Sequence, residues 1–400
     1  MRHIPDVERR ARIGQRHALA PWARVPDAEA ATRAMTVLHA TEPATVYLSL
    51  FARVGDLRVE DVDRVLYADR ALVKQLAMRR TLFVFPRDLL PAALGSASAR
   101  VATQLRTRLA KEIQAAGLAV DGAAWVDTAC AGVLERLADG SELSAQALRE
   151  QVPTLSGRIT MAPGKSYGGE FPIAPRVLTQ LGVEGLITRG RNGGHWRTSR
   201  PQWTLMSGWL GEAPARWPAE QGYAELVRRW LTTFGPGTVA DLQWWLGGTG
   251  AAVRKALAAV DAVEVGLEGA DSGWVLPGDE EPPATAAEGP WAALLPVLDP
   301  TVMGWKDRGF FLGEHAAALF DTNGNAGTTA WWNGRIVGCW VQDQDGVVEV
   351  RLLEKVPAAG RKALAVEAER LTDWLAGTRV STVYPSPAMK PSWGGGGFTG

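Results

Sequence analysis

The segment that decides the fold is residues 172–203, with the sequence PIAPRVLTQLGVEGLITRGRNGGHWRTSRPQW. Pro175 favours the first turn of a helix, and Gly185 is the kind of residue that ends one. After the glycine, LITRG (186–190) has the composition of a β-strand, RNGG predicts a tight turn, and HWRTS (195–199) predicts the returning strand. A helix followed by a two-stranded hairpin with a basic tip is how a winged-helix module ends.

Similar patterns occur on both sides of this segment. Helical periodicity is predicted in residues 28–38, 59–66, 71–79, 223–234, 239–246 and 251–260. The first three precede a strand-like run, TLFVFP (81–86), and the last three precede two further strands. The chain is therefore expected to contain three tandem winged-helix domains, at 1–100 with a basic amino-terminal segment, at 101–205 with the basic hairpin, and at 206–280.

After residue 276 the pattern changes. Residues 277–290 are acidic and rich in proline, which is typical of a linker. Short β-like runs follow (AALLPVL, TTAWW, IVGCWVQ and VVEVRLLE), and then one helix over 360–375. We expect a carboxyl-terminal β-rich, barrel-like domain over 291–392, which makes the whole chain α+β.

Composition limits the function classes. Hydrophobic residues make up 46% of the chain and charged residues 22%, and the formal net charge is zero. No secretory signal or long apolar run is visible, so we expect a cytoplasmic protein. Cys130 and Cys339 have no second cysteine or histidine at ligand spacing, which favours buried free thiols. We expect neither a metal nor a cofactor, since none of the usual nucleotide, zinc-protease or hydrolase motifs occurs in a credible context.

Positive charge is concentrated near the hairpin. Residues 157–203 contain seven lysines or arginines against two acids, a local excess of five in a neutral protein. Neutralisation of DNA phosphates by basic side chains supplies most non-specific DNA affinity, so we predict that this segment binds double-stranded DNA. We expect the protein to act as a monomer. The alternative is an ordinary solvated hairpin. The predicted DNA-binding residues are Arg158, Lys165, Arg176, Arg189, Arg191, Asn192, His195 and Arg197.

A second candidate site lies in the first module. Pro43 cannot continue a helix, so the helical pattern is expected to break there and to leave His39 and Thr41 at a helix end. Histidine can position or activate a water, and a nearby hydroxyl can help to hold it. A structural histidine is the alternative interpretation.

Four segments together carry a family resemblance. They are LHATEPATVYLSLFARV (38–54), MRRTLFVFP (78–86), GRNGGHWR (190–197) and LLPVLDPTVMGWKDRGFFL (294–312). In this order they resemble the winged-helix DNA glycosylases of the AlkZ-like or YcaQ-like family. The resemblance implies a concave DNA channel, and excision of N-alkylated purines or unhooking of interstrand crosslinks by hydrolysis of the N-glycosidic bond.

The resemblance also points to particular residues. The family's catalytic motif is glutamine, an apolar residue, then glutamine or aspartate, and this chain has His39, Ala40 and Thr41 there. Phe83 stands where active relatives tend to have a histidine. Two functions therefore stay open: a monofunctional glycosylase that uses His39 and Thr41 to hold the hydrolytic water, and a non-catalytic DNA-binding or lesion-sensing protein. A transcriptional regulator is a third, weaker alternative, since such proteins commonly dimerise on a palindromic site.

Overall fold

The computed structural model describes residues 1–161, 168–282, 289–391 and 393. Helices and strands alternate along the chain. The helices, α1 to α17 in chain order, are Asp6–Arg16, Ala28–Ala34, Pro43–Phe51, Val59–Asp63, Leu90–Ala93, Ala99–Ala115, Gly122–Arg136, Ala145–Gln151, Ala174–Val183, Met206–Leu210, Ala219–Phe234, Val239–Leu246, Gly250–Ala259, Pro300–Met303, Gly309–Leu312, Ala316–Leu319 and Ala358–Leu375. The strands, β1 to β14, are His3–Ile4, Leu38–His39, Leu72–Leu76, Leu82–Pro86, Arg158–Met161, Gly169–Pro172, Ile187–Asn192, Pro201–Leu205, Val263–Leu267, Ala270–Val275, Ala292–Leu295, Thr329–Trp332, Arg335–Gln342 and Val348–Leu352.

The described strands form five small sheets. Two of them have three strands, in the orders β1-β9-β10 and β2-β4-β3, and one has four strands in the order β11-β12-β13-β14. The remaining two are the two-stranded ribbons β5-β6 and β7-β8. All pairings are antiparallel except that of β1 with β9. The fold is thus α+β, as the sequence predicts.

The amino-terminal region departs from the sequence prediction in two places. The helix predicted over 71–79 is wrong, because residues 72–76 form β3 and pair with β4 in a continuous antiparallel register. Pairing with a distant strand outweighs the local helical pattern there. The helix predicted over 28–38 ends at Ala34, and Thr36 takes a φ of +64° that helix geometry does not allow. The predicted strand over 81–86 is confirmed as β4.

The middle region has its own core. Helices α6, α7, α8 and α9 and the ribbon β7-β8 enclose apolar side chains that include Val133, Leu155, Val177 and Trp203. Ser144 and Asp121 cap α8 and α7 by accepting backbone N–H bonds. Cys130 belongs to this core as a buried free thiol, and Cys339 is likewise free and buried. The prediction for both cysteines is confirmed.

The third region contains three successive helices followed by a hairpin. Helix α12 has the predicted bounds, and a capping box at Thr238 and Asp241 fixes its start. Helices α11 and α13 pack together, and β9 and β10 follow as a hairpin. The amino-terminal strand β1 joins this hairpin rather than the first sheet. The basic amino-terminal segment also forms ion pairs within the protein. Arg12 is 2% exposed and pairs with Glu8 and Asp279.

The carboxyl-terminal region corrects one prediction. Its four strands form an open meander, and within the described residues they do not close into a barrel. Four strands are too few to close a barrel, and α17 packs against the edge strands β11 and β14. This region shares one continuous hydrophobic core with the amino-terminal and third regions. A fully buried ion pair between Arg53 and Asp299 lies where α3 meets α14.

Candidate functional site

His39 is held in the small sheet β2-β4-β3. The structure places it in strand β2, followed by a loop that carries Thr41, and α3 begins only at Pro43. His39 therefore lies at the end of a strand, and not at the end of a helix as the sequence analysis predicted. In the sheet register His39 lies opposite Phe83, and the two rings meet edge to face with centroids 5.5 Å apart. The sheet thus fixes the orientation of the imidazole against Phe83.

The His39 side chain is buried and uncharged. Burial, and then the nearby positive charge of Arg79, lower the pKa of His39 to about 3. The backbone N–H of Thr41 points at Nδ1 at 3.5 Å, which leaves the ring proton on Nε2. A neutral imidazole of this tautomer donates a hydrogen bond and is a poor proton acceptor near pH 7. The Thr41 side chain is exposed to solvent.

Two arginines lie beside this sheet, and the sequence analysis did not single them out. Arg79 stacks over the Trp244 ring at 3.8 Å from its centroid, and Arg308 lies 5.0 Å from the same centroid. Burial and the mutual repulsion of the two arginines lower the pKa of Arg79 to about 10, and burial lowers that of Arg308 to about 10. Arg79 is part of the segment MRRTLFVFP, but nothing local in the sequence connects it to Arg308.

Glu42 is a further polar residue that the sequence analysis missed. It lies between His39 and α3, and burial raises the pKa of its carboxyl group. Its Oε1 accepts hydrogen bonds from the Thr382 hydroxyl at 2.8 Å and from the Val383 backbone N–H at 2.7 Å. Glu42 also lines a cavity of about 170 Å³ between α3 and β13. Its carboxylate therefore joins the amino-terminal region to the carboxyl-terminal segment.

The hairpin differs from its predicted form. Strand β7 runs to Asn192, two residues beyond the predicted strand over 186–190, and the returning strand β8 begins only at Pro201, so residues 195–199 belong to a connecting loop. Asn192 holds this loop: its side-chain oxygen accepts the Arg200 backbone N–H at 2.8 Å, and its amide donates to the Thr198 carbonyl at 2.9 Å. The turn signal at Asn192 is thus real, although the loop is longer than a tight turn.

The tip of this loop is docked against the rest of the protein. The Trp196 ring lies 5.2 Å from the Tyr47 ring of α3 and 5.6 Å from the Trp374 ring of α17. Arg197 donates to the Arg379 carbonyl at 2.8 Å. His195 stacks on Trp196, and its Nδ1 accepts the Arg197 backbone N–H at 3.4 Å. The loop therefore bridges the middle region to both ends of the chain.

Most of the other predicted DNA-binding residues have internal partners. Arg158 pairs with Glu170 at 3.3 Å, Arg176 with Glu112 at 2.7 Å, and Arg191 with Glu142 at 3.7 Å. Arg189 lies over the Trp203 ring at 5.2 Å, and burial lowers its pKa. The Arg158 and Arg191 side chains remain more than half exposed despite these pairs. Lys165 lies outside the described residues.

Arg189 and His39 are associated with opposite faces of the small sheet. The register places Lys74 with Val84 and Leu38 in one row, and His39 with Phe83 in the neighbouring row. Side chains of successive rows point to opposite faces of a sheet. Lys74 borders Arg189, and burial, followed by the positive charge of Arg189, lowers the pKa of Lys74 to about 8. Arg189 thus lies near the face of this sheet opposite to His39.

The described residues contain no group of three histidine, cysteine, aspartate or glutamate side chains that could hold a metal ion. Nor does any described helix have the length and apolar character needed to cross a membrane.

Comparison with known proteins gives the class. Residues 32–374 match the family model described as DNA glycosylase AlkZ-like. The chain therefore belongs to the AlkZ-like DNA glycosylase family, a family of DNA-repair proteins.

Among solved structures, the fold resembles that of the Streptomyces sahachiroi DNA glycosylase AlkZ, with a TM-score of 0.72 and 21% sequence identity. The similarity covers 93% of this chain and 98% of that one. At this identity the likeness shows a shared fold. No curated protein matches the chain.

Proposed function

We propose that this protein binds double-stranded DNA and releases N-alkylated purines by hydrolysis of the N-glycosidic bond. The observation that carries the proposal is the register pair His39 and Phe83. The family resemblance places a glutamine at the first position and tends to place a histidine at the second. Because the two positions face each other across the sheet, an imidazole supplied from β2 occupies nearly the same place as one supplied from β4.

The chemistry suits a neutral imidazole. An N-alkylated purine that carries positive charge is a good leaving group, so the reaction depends more on orienting water and stabilising the sugar cation than on a strong base. Water adds to the anomeric carbon, the glycosidic electron pair leaves with the base, and the water proton passes to solvent. His39 Nε2–H and the Thr41 hydroxyl orient the oxygen atoms at the site. The products are a free purine and an abasic site.

The position of Lys74 favours a monofunctional enzyme. Lys74, the lysine on the same sheet, lies on the opposite face and donates to Tyr67 Oη at 2.7 Å. A lyase needs an amine that reaches the sugar carbon from the catalytic side. We therefore propose hydrolysis by water, with the protein acting as a cytoplasmic monomer.

The DNA-binding part of the proposal keeps the winged-helix organisation, with modules at 1–100, 101–205 and 206–280 and a β-rich region at 291–392. The order α11, α12, α13, β9, β10 supports it, because three helices and a hairpin are the elements of one such module. The partly exposed arginines Arg158 and Arg191 are proposed to contact phosphates at the rim of the DNA-binding surface.

A second candidate, a lesion-binding protein without catalysis, is favoured by the electrostatics of His39. Its lowered pKa and the Thr41 N–H at Nδ1 remove it as a general base. If base release requires proton abstraction by His39, the protein binds DNA and does not release the base. Both candidates predict DNA binding, and only the first predicts abasic sites.

A base-release assay separates them. The full chain is incubated with a duplex that contains one N7-methylguanine, abasic sites are cleaved by alkali, and binding is measured in parallel by fluorescence anisotropy. The first candidate predicts abasic sites that the His39→Ala and Thr41→Ala variants form more slowly, while an exposed control, His3→Ala, keeps the wild-type rate. Intact salt-sensitive binding with no abasic sites supports the second candidate and refutes the first. Loss of all DNA binding refutes both.

A further inference from the structure

Arg79 and Arg308 share one aromatic platform although they come from distant segments. Trp244 of α12 lies under both guanidinium groups, and Arg308 also lies 4.8 Å from the Phe320 ring centroid. Gly247, which ends α12 with a φ of +62°, leaves room for the Arg79 side chain, since a Cβ there would lie 3.1 Å from Arg79 Cγ. Arg79 itself has a φ of +51°, an uncommon conformation for arginine. The backbone thus brings the Arg79 guanidinium onto the ring.

This pair of cations has little counter-charge among the described residues. Among the described residues, no carboxylate oxygen lies within ion-pair distance of Arg79 or Arg308. Arg79 Nε and Arg308 Nη2 are buried without a hydrogen-bond partner there, and Arg308 Nε donates to the Val302 carbonyl at 3.0 Å. The acid whose charge reaches Arg308 is Asp241, whose oxygens accept bonds from Thr238 and from the Lys306 and Asp307 backbone N–H groups.

The contrast with the hairpin is informative. In residues 157–203, Arg158 and Arg191 pair with glutamates and Arg197 donates to a backbone carbonyl. At Trp244, by contrast, the two positive charges of Arg79 and Arg308 lie together in a partly buried setting that strengthens their repulsion. Unpaired buried N–H groups add a further free-energy cost. An anion at this position would relieve both costs, and the partial exposure of both arginines leaves it a path.

We propose that Arg79, Arg308 and Trp244 form a phosphate-binding site that holds a phosphodiester of the DNA strand next to His39. The inference rests on the proposed function and names the contact that positions the strand there. A guanidinium group binds phosphate oxygens in a planar, two-pronged geometry, and stacking on tryptophan fixes the plane of that group. Arg79 lies in the turn between β3 and β4, and the Leu82 carbonyl at the end of that turn accepts the backbone N–H of Ala40, the neighbour of His39, at 2.9 Å, so a phosphate bound by Arg79 lies near the nucleotide being processed.

The first test measures the salt dependence of binding to an undamaged duplex. The Arg79→Gln/Arg308→Gln variant is expected to bind about 10 to 100 times more weakly, and its salt slope should be shallower by about 0.9, the value for one lost phosphate contact. The Arg79→Lys/Arg308→Lys variant keeps the charge and should recover the slope with part of the affinity. The matched control is Arg58→Gln/Arg64→Gln, two exposed arginines paired with Asp61, which should bind as wild type.

The second measurement needs no variant. Phenylglyoxal modification of the wild-type protein, mapped by mass spectrometry, should be suppressed by DNA at Arg79 and Arg308 and not at Arg58. Wild-type binding with an unchanged salt slope in the glutamine variant, or absence of protection at both arginines, overturns the phosphate site and leaves the proposed function standing. If the wild-type protein does not bind the duplex, the proposed function and the phosphate site fail together.

Discussion

His39 of β2 and Phe83 of β4 are register partners whose rings meet edge to face with centroids 5.5 Å apart. This pairing predicts that a histidine at position 83 can replace the histidine at position 39. A His39→Ala/Phe83→His variant should keep base release within about 10-fold of the wild-type rate, whereas His39→Ala alone should lose about 100-fold, the scale of one positioned hydrogen-bond donor. Single-turnover assays on an N7-methylguanine duplex measure both. Equal losses in the single and double variants would contradict the exchange.

The charge state of His39 predicts the pH profile of base release. Because burial and Arg79 lower its pKa to about 3, the imidazole stays neutral throughout the usual assay range. The single-turnover rate should therefore show no His39-dependent inflection between about pH 5 and pH 8. A rise in rate with an apparent pKa near 6.5 that disappears in His39→Gln would show that His39 acts as a base.

The same shift predicts acid sensitivity of the fold. The imidazole of His39 titrates near 6.5 in the unfolded chain and at about 3 in the folded protein, so between these pH values the unfolded state binds the extra proton. The free energy of unfolding should fall as the pH drops below 6.5, with about 1.4 kcal/mol per pH unit from this histidine. Urea unfolding at several pH values should show a slope that is shallower by this amount in His39→Gln. The exposed control Val120→Ala should keep the wild-type slope.

The docked hairpin tip predicts a local change in mobility. Trp196 contacts Tyr47 and Trp374, so Trp196→Ala should cost about 2 kcal/mol and release residues 193–200 from the surface. Hydrogen exchange of the loop amides should accelerate. Trp22→Ala, a change at a tryptophan that is 38% exposed, serves as the control. Unchanged loop exchange in Trp196→Ala would show that the tip is held by other contacts.

The buried pair Arg53 and Asp299 predicts a large global effect. Two guanidinium nitrogens meet the two carboxylate oxygens at 2.8 and 2.9 Å, with both side chains fully buried. Removing one charge leaves the other uncompensated, so Asp299→Asn should cost about 3 to 5 kcal/mol in the free energy of unfolding. Urea denaturation measures the loss. The exposed pair of Lys255 with Glu220 provides a control, since Glu220→Gln should leave the midpoint unchanged.

Local sequence patterns determined much of the architecture. The run TLFVFP predicted β4, the helical periodicity of residues 239–246 matched the bounds of α12, and the turn signal at Asn192 coincided with the end of β7. Each signal depends on neighbouring residues alone, through β-forming composition, periodicity or turn preference. The four quoted segments also pointed to the family that the comparison then established.

The tertiary structure decided what depends on distant partners. Strand β3 carries a helical pattern, yet pairing with β4 makes it a strand. The arginines of residues 157–203 were predicted to be available to DNA, and the fold gives three of them glutamate partners, namely Arg158, Arg176 and Arg191. Arg79 and Arg308 drew no attention as separate residues, and the fold brings them to one tryptophan without a carboxylate partner among the described residues. Long-range pairing and charge compensation leave no local signature, so only the folded chain shows where positive charge remains available for DNA.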